Sequence, residues 1–251
     1  MRNIKLLIEY DGSRYEGWQK SASGEKSTTV KEKIEEVLSR MDEEQIEVIG
    51  AARTEAGVHA SGQVANFHTS TSMSCLEIKR YLNRFLPRDI AVLETAEVPE
   101  RFHAAYLAKG FTYEYHISIG EVPSVFERKY NYYCFKRPDI KWMREAASYI
   151  VGKHDFAAFS ENKRMKKSTV RTVKEFDVYG DTKEVLFRIT ADDFWPYMAR
   201  IMAGTVLAVG KGERESESVR QIIESKDRAQ AGERLEARGL FLTDVIYHTE
   251  G

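Results

Sequence analysis

A chain of 251 residues, 42% of them hydrophobic, can bury a large core as one big domain or as two of ordinary size. Its 38 basic residues nearly cancel 39 acidic ones, so net charge by itself announces no nucleic-acid binder. Two cysteines and six scattered histidines form no metal-ligand spacing, no run approaches the ~20 apolar residues of a membrane span, and the charged N-terminus does not read as a secretory leader; a cytoplasmic, metal-free protein is the expectation.

Ile4, Leu6, Ile8 and Tyr10 alternate with Lys5, Leu7 and Glu9, a strand's period near two with one imperfect outer position. Val30, Ile34, Val37, Leu38 and Met41 recur at helical spacing, and Thr29 with Glu32 offers a capping box at the start. Strand-like runs follow at 46–49 and 63–67, separated by a short polar turn that carries Arg53, Glu55 and His59. Ser74 and Glu77 can cap a second helix, with Cys75, Ile78, Leu82 and Phe85 sharing a face and Pro87 as its stop. Residues 90–98 then make a fourth strand. The order strand, helix, strand, strand, helix, strand is the ferredoxin-like unit, which many RNA-binding sheets also use.

From residue 105 a comparable set begins again. Residues 111–119 are rich in β-forming types, and 140–151 are helical by pattern, with Met143, Ala147 and Ile150 on one side. Residues 169–179 and 184–191 read as a hairpin turned at Gly180 and Asp181. Asp193 and Pro196 open a helix carrying Met198, Ile201, Met202 and Val209. A short helix after Ser216 and a strand over 240–248 close the chain. The spacing predicts an α+β protein of two halves, 1–104 and 105–251, joined through their sheets with a cleft between them. Residues 163–171 hold five basic side chains, either a solvated loop or a place for phosphates.

On residue type alone, the simplest reading of Glu55 is a polar turn residue that caps or pairs with Arg53. The longer pattern says more. Residues 52–60 read Ala-Arg-Thr-Glu-Ala-Gly-Val-His-Ala. This resembles the active-site motif of the tRNA pseudouridine synthase A family, usually Gly-Arg-Thr-Asp-Ala-Gly-Val-His-Ala. Ala52 replaces the leading glycine, and Glu55 replaces the aspartate. The resemblance implies the pseudouridine synthase fold and makes Glu55 the catalytic carboxylate of an isomerase that detaches uracil from ribose C1′, turns it and rejoins it through carbon. A carboxylate suits such work, because it can attack an electrophilic carbon, steady a developing cation or abstract a proton.

Other elements match as well. Residues 8–19 resemble the family's opening strand and loop, 102–104 a second element, and 239–242 the C-terminal strand. Tyr113 falls in the family's basic-x-Tyr-x-Tyr element, which implies that it stacks on the flipped target base; a core strand tyrosine is the alternative, one that fits Tyr115 better. Arg200 falls in a Met-Val-Arg-Asn-like helix start, which implies pairing with the catalytic carboxylate; an arginine snorkelling to solvent is the alternative. Arg53 corresponds to the residue that fills the gap left by a flipped base, and His59 is carried over as a substrate contact. Ala105, Phe111 and Ile201 depart from the family pattern at the usual arginine, basic residue and asparagine.

The resemblance implies a tRNA uridine isomerase acting on the anticodon stem-loop, homodimeric, needing no cofactor or metal, and engaging neither DNA nor membrane. The aromatic run containing Val125, Phe126, Tyr130, Tyr132 and Tyr133 is either the subunit contact or ordinary core. The departures at Glu55 and elsewhere support a second reading, a tRNA-binding paralogue of the same fold with impaired or lost chemistry.

Overall fold

Along the first strand every second side chain from Ile4 to Tyr10 is buried, with Ile4, Leu6 and Ile8 fully so. This is the alternation that a sheet with one face on a core imposes. The computed structural model describes residues 1–20, 28–161 and 168–247. They fall into two units, Met1–Lys109 with the chain from Phe241 onward, and Gly110–Leu240.

The first unit runs β1 (Arg2–Tyr10), α1 (Val30–Asp42), β2 (Val48–Gly50), β3 (His59–Thr69), α2 (Cys75–Phe85) and β4 (Ile90–Val98). Its sheet has the order β4-β1-β3, all antiparallel, with β2 paired to β3. This is the ferredoxin-like arrangement expected from the element order. Both capping boxes form: Thr29 with Glu32 on α1, and Ser74 with Glu77 on α2. Ile34 and Leu38 of α1 and Ile78 and Leu82 of α2 are fully buried, each such side chain stabilising the fold by about 1.5–3 kcal/mol. Phe85, expected on the same face, is 46% exposed at the end of its helix, beside Tyr81.

Polar side chains of this sheet are satisfied by the segment after β4. Asn66 donates to Asn3 Oδ1 at 2.9 Å and accepts from the Ala104 amide at 2.8 Å, while Asn3 donates to the Phe102 carbonyl at 2.9 Å. The 102–104 stretch is thereby tied to the sheet's central strands.

The second unit runs β5 (Gly110–Ile119), β6 (Tyr132–Cys134), α3 (Ile140–Ser148), β7 (Gly152–Asp155), β8 (Val170–Gly180), β9 (Glu184–Ala191), α4 (Met198–Gly210) and α5 (Ser218–Ser225). β5, β9, β8 and β7 follow one another antiparallel, and β6 lies parallel to β5. The 180–181 hairpin forms, closed by the Asp181 amide on the Glu184 carbonyl. α3 packs on β8 and α4. α4 is buried on every side except at Ala208, with Arg200 and Thr205 the polar members of an otherwise apolar sequence. It begins two residues beyond Pro196, after Tyr197 in a left-handed conformation.

The last strand, β10 (Leu240–Ile246), leaves the second unit at Leu240 and pairs in parallel with the start of β3, Phe241 opposite His59 and Leu242 opposite Ala60. The expected split into 1–104 and 105–251 therefore differs from the observed units, because the final strand returns to the first sheet. Among the described residues no helix is long and apolar enough to cross a membrane.

Candidate active site

The turn between β2 and β3 is built by borrowed hydrogen bonds. The Ala51 amide still reaches the Val64 carbonyl at 2.8 Å, and then the Gln63 side chain serves Ala52, donating to its carbonyl at 2.9 Å and accepting from its amide at 3.2 Å. Arg53 beyond it is exposed, Thr54 is buried and Glu55 is half-buried. The Val58 amide donates to the Glu55 carbonyl at 3.1 Å, closing a tight turn with Gly57 at φ 76°. Three consecutive side chains thus alternate out, in and partly out, and the carboxylate sits at the bend.

Residues 11–18 hold that bend from the other side. The Trp18 amide donates to the Thr54 carbonyl at 3.1 Å, and the Gly57 amide donates to the Tyr15 carbonyl at 3.2 Å. The approach is so close that a Cβ on Gly12 would lie 1.9 Å from the Val58 carbonyl oxygen, and one on Gly17 would lie 2.3 Å from that of Thr54. Gly17 also needs φ 91°, which side chains disfavour. The loop is pinned in turn: the Asp11 amide donates to the Asp89 carbonyl, and the Tyr15 hydroxyl donates to Asp89 Oδ1 at 2.6 Å. Burial, and then that carboxylate, push the Tyr15 phenol well above its ordinary value, so it stays a donor. The buried Tyr10 hydroxyl and Thr54 Oγ1 are 2.7 Å apart, and burial likewise raises the Tyr10 phenol.

His59 is fully buried at the first position of β3, stacked on Phe241 with ring centroids 4.6 Å apart. Its Nδ1 accepts the Gly12 amide at 3.1 Å. Asp11 Oδ1, which accepts from the Ser13 amide, lies 3.3 Å from the same nitrogen. The sequence alone singled out the acid and its neighbours but not this brace. The signal was Gly12 and Gly17 set five apart in a polar loop.

In the second unit, Tyr113 stands on β5 opposite Ile189, 9% exposed, its ring edge-on to Phe194 at 5.0 Å. Tyr115 is the core tyrosine: it is fully buried, its hydroxyl donates to the Glu236 carbonyl at 2.7 Å, and burial raises its phenol. Arg200 does not snorkel. It is 8% exposed on the first turn of α4, and its Nε donates to the Leu235 carbonyl at 2.6 Å. Ile201 beside it is fully buried, which accounts for an apolar residue there. Most of the basic stretch, Lys163, Arg164, Lys166 and Lys167, lies outside the described residues. Arg171 at its end pairs with Asp193 at 3.1 Å and covers the Trp195 ring.

The tRNA pseudouridine synthase family model matches residues 6–107 and 146–248 of this sequence. The tRNA pseudouridine synthase A of Bacillus sp. (strain KSM-64) is 46% identical over 247 residues, 98% of this chain and 100% of that protein. The protein of the same name from Clostridium kluyveri is 42% identical, and the tRNA pseudouridine synthase A 2 of Clostridium perfringens 40%, both over the same shares of each chain.

Proposed function

The chain belongs to the tRNA pseudouridine synthase family, and from that premise we propose that it isomerises uridine to pseudouridine in the tRNA anticodon stem-loop, with Glu55 as the catalytic carboxylate. The reaction breaks the bond from ribose C1′ to N1 of uracil and makes one from C1′ to C5, while the C5 proton leaves and N1 takes up a proton in its place. Substrate and product are isomers, so the exchange consumes no oxidant, reductant or group donor. A fixed carboxylate can meet both demands, taking up C1′ or its developing charge first and accepting a proton later.

The observation that carries this reading is the bracing of the Glu55 backbone, bonded on both sides through Thr54, Gly57 and Val58. Preorganisation of that kind is what positioning a reacting group requires. Tyr113 is proposed to stack on the target base, since a ring face tolerates a rotating uracil. Arg200 is proposed to orient the carboxylate and keep it ionised. Exposed Arg53, two residues from the acid, would occupy the gap left in the RNA. Because His59 is fully buried, we assign it to bracing the turn instead of touching substrate.

The protein is proposed to work in the cytoplasm as a homodimer. Support for the dimer comes from Val125 and Phe126, which are 66% and 91% exposed. The test incubates purified protein with unmodified tRNA containing C5-tritiated uridine. Tritium release by the parent and its loss in Glu55→Ala is the expected result. Tight tRNA binding without release would select the tRNA-binding paralogue.

A further inference from the structure

Among the described residues, three non-glycine residues have positive φ: Glu43, Tyr197 and Lys226. Glu43 and Lys226 follow the last turns of α1 and α5, where a left-handed residue commonly ends a helix. Tyr197 is different. At φ 68° and ψ −3° it opens α4, a position that normally takes extended backbone, and its side chain makes no capping bond. A bulky residue held this way is strained and persists only where its surroundings over-determine it.

Those surroundings are an arginine pair. The Arg234 guanidinium lies 4.3 Å from the Tyr197 ring centroid, and that of Arg200 lies 5.7 Å from it. Arg234 is anchored by Glu161 at 2.5 Å, and Arg228 approaches the same carboxylate at 3.7 Å. The strand of chain that carries Arg234 is fastened to α4: the Gly232 amide donates to Thr205 Oγ1 at 2.9 Å, and Leu235 provides the carbonyl that takes Arg200 Nε. Arg200 is thus tied at Nε and flanked by a ring that a second, anchored cation holds in place. Two like charges near one ring repel each other, and Glu161 offsets this beside Arg234.

We propose that Tyr197 and Arg234, with Glu161 behind them, are positioning residues for Arg200, fixing the direction in which its guanidinium leaves α4. The proposal rests on the role given to Arg200 above. An aromatic face orients a planar guanidinium better than aliphatic packing does, because both attraction and stacking depend on the plane. The left-handed backbone delivers that face.

The experiment compares Tyr197→Phe, Tyr197→Asn, Arg234→Ala and Glu161→Gln with the parent, reading single-turnover rate, tRNA affinity, melting temperature and hydrogen exchange at Arg200 Nε by NMR. Asparagine accepts the left-handed conformation but removes the ring, so it separates strain from stacking. The expected result is a parent-like Tyr197→Phe, with Tyr197→Asn and Arg234→Ala about 10-fold slower at unchanged affinity, since small misplacement of a reacting group is costly. Glu161→Gln should slow turnover in the same sense. Exchange at Arg200 Nε should quicken by about fivefold or more in the slow variants, as its tether loosens. Parent-like rate and exchange in Tyr197→Asn would overturn the proposal. So would an Arg234→Ala defect confined to tRNA affinity, which would make Arg234 a phosphate contact. An Arg200→Ala variant with full activity would instead remove the role of Arg200, and the exchange measurement would then decide the positioning by itself.

Discussion

A Cβ on Gly17 would stand 2.3 Å from the carbonyl oxygen of Thr54, the residue immediately before Glu55. The loop that follows the first strand and the turn that carries the acid are therefore in backbone contact, with the Trp18 amide bonded to that same oxygen. Neither can move without the other. The placement of the carboxylate depends on a loop about forty residues away in sequence, and this relationship makes the loop testable by activity.

Gly17→Ala should damage the site without removing any of its functional groups. The new methyl meets a backbone atom, and φ 91° is strained for alanine whatever the space. Shifting the Thr54 carbonyl carries Glu55 with it, and a displacement near 1 Å can cost about 100-fold in rate. Single-turnover tritium release should fall by that order while tRNA affinity holds. A variant that retains the parent rate would show that the loop does not position the acid.

The Tyr10 and Thr54 hydroxyls form a buried pair directly beneath the turn. Tyr10→Phe leaves Thr54 Oγ1 without that partner, which should cost about 1–3 kcal/mol in chemical denaturation. Thr54→Val should cost a similar amount. The double variant should lose clearly less than the sum of the two, as expected for groups in contact. Additive losses would mean that the hydroxyls do not depend on one another.

The capping box of α1 gives a pH-dependent stability. Burial pushes the Glu32 carboxyl up, but the Lys20 ammonium and the Thr29 amide and hydroxyl outweigh it, and the net shift is downward. A carboxylate with a depressed folded value contributes stability above its unfolded value and loses it as pH falls through the folded one. Glu32→Gln keeps an acceptor for the Thr29 amide but loses the charge, and should therefore lower the melting temperature at pH 7 by about 1–3 °C, as for a partly exposed ionic interaction worth roughly 0.5–1 kcal/mol. The difference from the parent should shrink progressively once pH drops below the ordinary carboxylate range. A gap of the same size at pH 3 and pH 7 would rule out the linkage.

The elements with strong local signals are legible in the sequence. Both capping boxes and the apolar stripes of α1 and α2 mark their helices, and the polar turn with Arg53, Glu55 and His59 announces the site. What escapes is whatever depends on distant chain. β6 and β7 are only three and four residues long, too short to show a period. The brace by residues 11–18 is a contact between segments far apart in sequence, hinted at only by two glycines. β10 belongs with the first unit because it pairs with β3, and no composition shift marks that return. Tyr197 takes a conformation that its residue type gives no reason to expect. His59 lies within a motif that resembles a substrate-binding one, yet its buried ring accepts the Gly12 amide and stacks on Phe241.

The exposed mid-chain aromatics predict a subunit contact. Phe126 is 91% exposed, so replacing it should leave the fold intact. Light scattering of the parent at micromolar concentration should give a dimer, and Phe126→Asp should shift it toward monomer at an unchanged melting temperature. A monomeric parent would rule out the homodimer, and a dimer indifferent to Phe126→Asp would place the contact elsewhere.

Glu55→Asp asks whether the longer acid is the working one. Aspartate withdraws the carboxylate by one methylene, roughly 1.5 Å. The backbone cannot follow it: the Thr54 carbonyl is held by Trp18, the Gly57 amide by Tyr15, and the Glu55 carbonyl by Val58. With the turn clamped on three sides, the shortfall remains at the carboxylate, and turnover should fall by about 100-fold. Affinity for tRNA should change little, because phosphate contacts elsewhere dominate it. Single-turnover kinetics on one tRNA, with affinity and melting measured in parallel, separates these effects. An aspartate variant faster than the parent would mean that the site is built for the shorter acid and that Glu55 is an impaired catalyst.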